Sequence, residues 1–404
     1  MEIWIVACAA AALLARVGLA IYACGLVRAK NAGGTLLRHA ADLCVASLAF
    51  WAFGIAILNP GGERGTARAE FLFGLRGTSA TSLAPHVFLI LAATLIASGA
   101  VVGTLTERTR FWPSLAASVL LGGFLVPLLA NWCGANGWLG ARHFHDLAGA
   151  SFIHLNAGLC AAVGAIVVGA RDGKYNRDGS TNVIPGHSLP LACGGAMLIL
   201  VAWFPYLLGF GVTTGASAGL IAMNALLAVA AAGAASLAVA HLRYGKPDID
   251  LTFSAVLGGL VAISAGADVM TNLAAVITGL VAGILIPVLM AQVDLVWRVD
   301  DPTATGVIHG VGAIWGLIAV GLFGSLDKAT GRVEFLQAQF LGLGAVAGVV
   351  LAASLIVFLL LKKMVGIRVR EEDEFDGLDL AEHDIGSYPD FQQTTIKSYH
   401  LREA

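Results

Sequence analysis

Charged residues are scarce in this 404-residue chain. Lys, Arg, Asp and Glu together make up 12% of it, against roughly 25% in soluble domains. The net charge of -2 offers no basic surface for nucleic acid. The six cysteines form no C-x-x-C pair, and five of them lie inside apolar runs, where cysteine behaves as a small hydrophobe. We therefore expect no nucleic-acid partner, no disulfide framework, no metal site and no cofactor.

Long apolar runs make up most of the chain instead. Hydrophobic residues account for 58% of it, glycine for 50 positions, and the mean hydropathy is +0.82. Runs of about 20 apolar residues match the thickness of a hydrocarbon core, so the sequence predicts an all-α polytopic protein surrounded by membrane lipid. Eleven transmembrane helices are predicted, at 3–27, 38–58, 86–106, 112–130, 147–170, 188–209, 215–241, 251–267, 272–294, 304–324 and 337–361.

The first run is predicted to be a retained transmembrane helix rather than a cleaved signal sequence. It begins after Glu2 instead of a basic segment, and it ends at Arg28 and Lys30. Arg16 lies inside this run. Either snorkelling to the membrane interface or a polar partner would account for it.

The distribution of Lys and Arg among the connections predicts the sidedness. One set of connections holds fifteen of these residues and the other holds six. By the positive-inside rule, the N-terminus is predicted to lie outside and the C-terminus in the cytoplasm. The fifteen are Arg28, Lys30, Arg38, Arg108, Arg110, Arg171, Lys174, Arg177, Arg243, Lys246, Arg298, Lys362, Lys363, Arg368 and Arg370, and the six are Arg64, Arg68, Arg76, Arg142, Lys328 and Arg332.

Two histidine segments of the sequence resemble each other. In "HDLAGASFIHLNAG" Asp146 precedes His154 by eight residues, and in "DDPTATGVIHGVGAIWG" Asp301 precedes His309 by eight. The segments fall in the fifth and tenth predicted helices. A separation of five helices reverses the orientation of the second copy, as in transporters built from inverted repeats. The sequence therefore predicts an inverted five-plus-five repeat followed by one final helix.

A histidine in a transmembrane helix either packs against a neighbouring carbonyl or lines a pathway. Placing a polar side chain at membrane depth costs free energy, on the order of 3 kcal/mol for a charged one, and such residues usually line a pathway. Two histidines in matched positions therefore favour a pathway over packing. A neutral imidazole offers one hydrogen-bond donor and one acceptor. Its ordinary pKa is about 6.5, so it can gain and lose a proton near neutral pH. Such a pair suits a small polar substrate that gains and loses a proton. Two histidines without a third ligand make a poor zinc centre, so an enzyme is not expected.

Six motifs run from the third predicted helix to the tail: "TERTRF", "DLAGASFIHLNAG", "GHSLPL", "RVDDP", "IHGVGAIWG" and "EEDEFDGLDLAEHDIGSY". With them the chain resembles the Amt/Rh ammonium transporter family. The resemblance implies an eleven-helix fold with pseudo-twofold symmetry and a narrow pore in each protomer of a homotrimer, placed in the inner (cytoplasmic) membrane. It also implies ammonium transport, in which ammonium is captured at an outer vestibule and deprotonated, and ammonia passes along two pore histidines.

The resemblance assigns roles to individual residues. His154 and His309 match the twin pore histidines, and Asp146 matches the aspartate that organises the external cation site. Asp146 also suits the N-cap of the fifth helix, and the two roles are compatible. Trp132 matches the external tryptophan, whose face would attract ammonium by about 0.5 to 2 kcal/mol. Trp138 is an alternative match, and a place in the interfacial belt is the generic interpretation for Trp132.

Three vestibule positions depart from the family pattern. Ala93 stands where a pore-gating phenylalanine is usual, unless a shift of register brings Phe88 there. The segment "WFPYLLGF", residues 203–210, makes Tyr206 the second gate and places Phe210 where a serine helps to hold the cation. An aromatic face and a hydroxyl each contribute about 1 kcal/mol. We therefore expect weaker or altered cation capture.

Residues 1–361 are predicted to form the transmembrane domain and residues 362–404 a cytoplasmic tail. The tail resembles that of the family, which packs under neighbouring protomers and in many bacterial members binds a PII-type signal protein. A solvated charged tail is the generic alternative. Asp384 replaces a usual glycine, so its turn is expected to differ if that glycine needs a positive φ.

Two other functions stay open. An ammonium-binding receptor with little conduction is favoured by the altered vestibule, although no kinase or cyclase domain is expected after the tail. A neutral channel for ammonia or carbon dioxide is the second alternative. The movement of net charge distinguishes transport of ammonium from either of them.

Overall fold

The computed structural model describes residues 1–58, 85–325 and 331–389. Within these ranges the regular structure is helical. The eleven long helices are α1 (Glu2–Leu26), α2 (Ala29–Leu58), α3 (Pro85–Leu105), α4 (Phe111–Cys133), α5 (Ala150–Val168), α6 (Leu189–Thr214), α7 (Ala218–Tyr244), α8 (Ile249–Ile263), α9 (Asn272–Leu295), α10 (Gly306–Phe323) and α11 (Arg332–Met364). Two short helices, α12 (Glu371–Asp376) and α13 (Leu378–His383), follow in the tail.

Each predicted span falls on one of these helices, which confirms the all-α polytopic class. In the described ranges, ten helices are long and apolar enough to cross a membrane, while α8 has only 15 residues. At 1.5 Å per residue α8 covers about 22 Å. The number of crossings and the sidedness stay predictions. Four of the six basic residues counted on the predicted outer side lie outside the described residues: Arg64, Arg68, Arg76 and Lys328.

Helix α8 ends where it meets the loop that precedes α5. The Ala148 N–H donates to the Ser264 carbonyl at 3.1 Å, and the Leu147 N–H donates to the Ala265 carbonyl at 3.0 Å. These carbonyls therefore bond the loop instead of a further turn of α8. The predicted span 251–267 was wrong in its last four residues for this reason.

Helices α1 and α6 approach each other closely through glycines. A Cβ added at Gly18 would lie 2.8 Å from the carbonyl oxygen of Gly195, and one added at Gly195 would lie 2.7 Å from that of Gly18. Both positions therefore need glycine at this crossing. Small residues at helix contacts are typical of membrane proteins, because close backbones gain van der Waals contact that apolar lipid would otherwise supply. The same helices supply walls of the cavity described below.

Arg16 is buried between α1, α2 and α3 and has polar partners, so it does not snorkel. Its guanidinium donates to Asp42 at 2.8 Å and contacts His39 Nδ1 at 2.7 Å. Because a guanidinium only donates, Nδ1 of His39 is the acceptor. Ser98 donates a further hydrogen bond to Asp42 at 3.0 Å. The side chains of Arg16 and Asp42 are 2% and 0% exposed, which makes them a buried ion pair.

The acidic tail packs against helix ends of its own chain. The carboxylate of Asp379 accepts hydrogen bonds from the N–H groups of Gly33 (2.9 Å) and Gly34 (2.7 Å) at the start of α2. Glu382 accepts one from the N–H of Phe111 at the start of α4, at 2.8 Å. Carboxylates are favoured at such helix N-termini, where N–H groups lack intrahelical partners. These carboxylates are therefore docked rather than free in solvent.

The turn after α13 tests the expectation about Asp384. Its φ is +54°, in the left-handed region that glycine adopts without cost. Aspartate enters this region more readily than most residues. The turn therefore has a positive φ although an aspartate stands there.

Candidate functional site

His154 and His309 meet in the interior of the helical domain. Their Nδ1 atoms lie 2.9 Å apart, and the rings stack with centroids 5.0 Å apart and an interplanar angle of 20°. The side chains are 0% and 7% exposed. Two nitrogens at this distance share one hydrogen bond, so one ring donates and the other accepts. The structure thus brings together the two histidines that the sequence singled out.

Both histidines lie in π-helical turns at the start of their helices. These turns span Ala150–Leu155 in α5 and Gly306–Val311 in α10. Single π-helical turns are uncommon, and they occur often at functional sites. The helices cross where a Cβ on Gly158 would overlap the backbone of Gly310, so the absence of a side chain lets the histidine turns touch.

An aspartate binds the first N–H groups of each turn. Asp146 accepts hydrogen bonds from the N–H groups of Gly149 (3.0 Å), Ala150 (2.8 Å) and Ser151 (2.7 Å), and from the Ser151 hydroxyl. Burial raises the pKa of Asp146, and these hydrogen bonds oppose the rise only in part. Asp146 therefore makes the capping contacts that suit the start of α5, and its cation-site role, which is compatible with capping, stays a prediction.

Asp301 holds the second turn in the same way. It accepts from the Gly306 N–H at 2.7 Å and from the Thr104 hydroxyl at 2.8 Å. The residue five before each histidine has a positive φ: Gly149 has +83° and Ala304 has +51°. For alanine this conformation costs about 1 to 2 kcal/mol. The matched aspartates and the matched backbone support the predicted repeat at the level of local structure.

An aromatic column leads away from His154 along α6. Trp203 stacks on His154 with centroids 5.0 Å apart, Tyr206 lies 5.1 Å from Trp203, and Phe210 lies 5.3 Å from Tyr206. All three side chains are buried. The Tyr206 hydroxyl donates to the carbonyl of Ala148, in the loop that also contains Asp146. We call Trp203, Tyr206 and Phe210 the aromatic column.

The α3 residues predicted near the first gate are packed. Ala93 is fully buried, and Phe88 is half-buried against the hydrophobic core. One turn before Ala93, Leu89 packs against α6, since a Cβ on Gly209 would lie 3.1 Å from its Cδ1. Aliphatic packing therefore surrounds this part of α3.

Trp132, in the last turn of α4, lies beside Trp138 in the loop that follows. Their rings make an edge contact, with centroids 5.5 Å apart. The guanidinium of Arg142 lies 5.5 Å from the centroid of the Trp138 ring and donates to the Trp138 carbonyl at 2.8 Å. The exposed face of Trp138 therefore already carries a cation from this chain.

A narrow cavity begins at His309. Its volume is about 20 Å³, and it extends from Trp203 and His309 to Tyr22 and Thr303. This is room for about one water-sized molecule. A wider cavity of about 320 Å³ shares Tyr22 and Thr303 with it. We call the wider cavity the charged vestibule, because its walls include Asp250, Asp294, Asp300, Asp301, Arg171 and Lys174.

The two adjacent aspartates of the charged vestibule have opposite electrostatic settings. Burial favours the protonated form of Asp300, but hydrogen bonds and charge from Arg171 outweigh it and lower the pKa of Asp300 to about 2. Arg171 also binds Glu107, and burial of Glu107 is likewise outweighed, so that its pKa is lowered. Burial raises the pKa of Asp301, and its hydrogen bonds and the charge of Arg108 oppose this rise only in part. Asp301 is therefore the better proton acceptor of the two.

Sequence reasoning missed three residues beside the histidines. Trp203 opens the segment "WFPYLLGF", which was used only for Tyr206 and Phe210. Thr303 and Thr305 lie between Asp301 and His309 in the second histidine segment. The sequence offered no signal for these two threonines, because a hydroxyl residue near a helix start usually caps a backbone group.

Comparison with known proteins identifies relatives over nearly the whole chain. A model of the Ammonium Transporter Family matches residues 3–388. The ammonium transporter Amt2 of Archaeoglobus fulgidus is 31% identical over 423 residues, covering 96% of this chain and 88% of the relative. The ammonium transporter Amt2 of Haloferax mediterranei is 30% identical over 414 residues, covering 96% and 90%.

Solved structures agree with this. A protein described as a Sensor Amt Protein superposes with a TM-score of 0.87 at 29% identity, covering 95% of this chain and 98% of its own. Candida albicans Mep2 shares the fold, with a TM-score of 0.80 at 23% identity, covering 96% and 90%. On the family match and the relatives at 30% identity or more, this multi-pass membrane protein belongs to the Ammonium Transporter Family.

Proposed function

We propose that this chain transports ammonium by separating the proton from ammonia at His154 and His309. Membership of the family supports ammonium transport in general. The observation that carries the finer proposal is the 2.9 Å Nδ1 contact between His154 and His309, of which His309 lines a cavity of about 20 Å³. A cavity of this size holds one small molecule without its hydration shell.

The separation follows from the cost of moving charge. An ion without its water shell is far less stable in an apolar cavity than a neutral molecule of the same size. Ammonia resembles water in size and can donate to or accept from a neutral imidazole. Ammonium that reaches the pair therefore loses its proton, ammonia moves along the rings, and the proton returns to it after passing through or beside the pair.

Capture outside the pair uses the residues predicted from the resemblance. Asp146 organises a negative field at the start of α5, and Trp132 supplies an aromatic face. The aromatic column offers little further help to a cation, because the Tyr206 hydroxyl is already bonded to the Ala148 carbonyl and Phe210 has no hydroxyl. Capture is therefore weak compared with a vestibule that contains a serine at position 210.

Assembly and location belong to the same proposal. The protein works as a homotrimer in the cytoplasmic membrane, with the charged vestibule and the tail on the cytoplasmic side. A PII-type signal protein is the candidate partner of the tail. The chain acts as a transporter and not as an enzyme, in agreement with its transporter relatives.

The test measures current and ammonia flux per folded protomer in proteoliposomes after an ammonium jump. Wild type is expected to give both signals. His154→Ala and His309→Ala are expected to lose the current and keep residual ammonia flux, and the double variant should be little worse than either, since the pair acts as a unit. His241→Ala, an exposed histidine in the last turn of α7, is the matched control. Full current in either single variant would overturn the mechanism.

A receptor with little conduction is the second candidate. The similarity to the Sensor Amt Protein and the packed aromatic column favour it. Wild-type protein that binds methylammonium but gives neither current nor flux would establish this alternative. Flux of ammonia or carbon dioxide without any current would establish a neutral channel.

A further inference from the structure

Three threonine hydroxyls connect the narrow cavity with a carboxylate. Thr305 Oγ1 lies 2.8 Å from Thr303 Oγ1, and Thr303 Oγ1 lies 3.2 Å from Thr104 Oγ1. Thr104 donates to Oδ1 of Asp301 at 2.8 Å, and Thr303 lies 3.4 Å from the same oxygen. The threonines are buried. Hydrogen bonds therefore run without a break from Thr305 to Asp301.

This chain of hydroxyls joins the two cavities. Thr305 and Thr303 line the narrow cavity together with His309. Thr303 and Asp301 line the charged vestibule. The narrow cavity has room for about one water molecule and is lined by both His309 and Thr305, so a water in it is the candidate bridge between them. The walls of the narrow cavity are otherwise mostly aliphatic, so they offer few other groups that could pass a proton.

The hydroxyls can take two directions of donation. In the structure Thr305 donates to the carbonyl of Ala100 at 3.1 Å. A hydroxyl has one proton and two lone pairs, so rotation lets Thr305 donate to Thr303 instead, and Thr303 to Asp301. The second direction leaves a lone pair of Thr305 free to accept a proton from the narrow cavity. Reversal between the two directions is what a proton relay requires.

We propose that Thr305, Thr303 and Asp301 form the relay that carries the proton from the histidine pair to the charged vestibule. The relay rests on the proposed function and adds its exit path. The proton leaves the His309 imidazolium for the bridging water, which passes one of its own to Thr305. Thr305 gives its hydroxyl proton to Thr303, and Thr303 gives its own to Oδ1 of Asp301. Asp301 then releases one proton to ammonia emerging into the vestibule, and ammonium forms.

Asp301 suits the last step by its position. It is half-buried, it lines the charged vestibule, and its second oxygen stays bonded to the Gly306 N–H throughout. Its neighbour Asp300 is bound to Arg171 by hydrogen bonds of 2.8 Å and is not available as an acceptor. The release site and the ammonia path therefore meet in the same vestibule.

The test replaces the two hydroxyls without changing the shape of the side chains. Thr303→Val/Thr305→Val is expected to reduce the ammonium-driven current at least about tenfold, since positioned proton transfer contributes 10² or more to rates. Neutral ammonia flux under a pH gradient should change less than about twofold, because the cavity keeps its size. Thr303→Ser/Thr305→Ser restores the hydroxyls and should restore most of the current.

Thr278→Val is the matched control. Its hydroxyl is buried and bonded to the Ala274 carbonyl in α9, away from both cavities. Should the double valine variant misfold, Thr305→Val alone serves in its place, because it leaves the hydrogen bonds of Thr104 and Thr303 to Asp301 intact. Unfolding temperature and trimer content are measured for each variant, so that current is expressed per folded protomer.

The outcomes separate the relay from the proposed function. An unchanged current in the folded valine variant overturns the relay, and so does an equal loss of current and ammonia flux, which would show a structural role. Wild-type flux without current removes both the relay and the proposed mechanism. Loss of current in the histidine variants together with normal current in the valine variant removes the relay only.

Discussion

The two sides of the histidine pair differ in chemistry. On one side the aromatic column of Trp203, Tyr206 and Phe210 is buried. On the other side a narrow cavity leads past threonine hydroxyls to a vestibule with four aspartates. The aromatic side offers faces and few polar atoms, while the vestibule side offers hydroxyls and carboxylates.

In the proposed mechanism, this difference separates the capture of ammonium from its release. Rings attract cations weakly, by about 0.5 to 2 kcal/mol each, and they exclude water. Carboxylates and hydroxyls stabilise a proton and pass it on. A substrate that crosses from the rings to the carboxylates is therefore expected to be taken up with low affinity and reprotonated efficiently. Changes on the two sides should consequently affect different measured quantities.

The largest effect is expected at Asp146. Asp146→Ala removes three backbone hydrogen bonds and the negative charge at the aromatic side, and should abolish ammonium-dependent current and binding. Asp146→Asn is the informative companion, because it keeps an acceptor oxygen without the charge. Activity lost in both variants would identify the charge as essential. Activity retained in the asparagine variant would limit Asp146 to capping, and unchanged activity in the alanine variant would refute its assignment.

The ion pair behind the narrow cavity should have the largest effect on stability. A Cβ on Gly99, which lines this cavity, would lie 2.8 Å from Cζ of Arg16. Arg16→Met leaves Asp42 buried without its partner, which costs about 3 to 5 kcal/mol. Arg16→Met/Asp42→Leu removes both charges and should recover most of this loss. Thermal unfolding in detergent measures the difference, and a double variant no more stable than Arg16→Met would show that the unpaired charge of Asp42 is not the cause of the loss.

The class of the fold was predictable because the length of an apolar run can be read from the sequence without knowing any contact between helices. Only some residues of the site were predictable. His154, His309 and their aspartates were found because the same eight-residue spacing occurs twice in the sequence. Helix ends such as that of α8 were missed, because the bonds from Ala148 and Leu147 join segments more than a hundred residues apart.

Long-range pairing also explains what remained unknown about Arg16. Its partners lie 23 and 26 residues away on another helix, and hydropathy gives no register between helices. The threonines of the proposed relay were missed for a different reason. Thr303 and Thr305 are common residue types near a helix start, where a hydroxyl usually caps a backbone group. Only their shared cavity with His309 distinguishes them.

A serine in the aromatic column should sharpen the contrast between capture and release. Phe210→Ser introduces the hydroxyl that the resemblance places at this position and should improve apparent ammonium affinity about fivefold, the equivalent of about 1 kcal/mol. The ammonia flux at saturating ammonium should change less than the affinity. Phe210→Leu is the control, because it opens space without adding a hydroxyl. Equal affinity in the serine and leucine variants would mean that the register or the recruitment argument is wrong.

A smaller effect is expected where the repeat imposes strain. Ala304 has the positive φ that Gly149 has in the first histidine segment. Ala304→Gly relieves about 1 to 2 kcal/mol of left-handed strain but adds about 0.4 to 1 kcal/mol of freedom to the unfolded chain. A net stabilisation of about 0.5 to 1 kcal/mol should follow. Gly149→Ala should destabilise, and its Cβ would also crowd Ile153. Opposite shifts in unfolding temperature support the match, whereas shifts of one sign contradict it.

The smallest effect concerns His145, next to Asp146. Burial lowers the pKa of His145, but the hydrogen bond and charge of Asp268, 3.0 Å away, outweigh burial and raise it above the ordinary 6.5, with Asp146 adding to the rise. A raised folded-state pKa gives stability that is fully present below pH 6.5 and is lost as the pH rises through the folded pKa. The pair is partly exposed, so its contribution should stay below about 1 kcal/mol. The unfolding temperature of wild type should therefore exceed that of His145→Asn most at about pH 5.5 and least at about pH 9. Asp268→Asn should flatten the same pH dependence, and a difference that grows toward high pH would reverse the assignment.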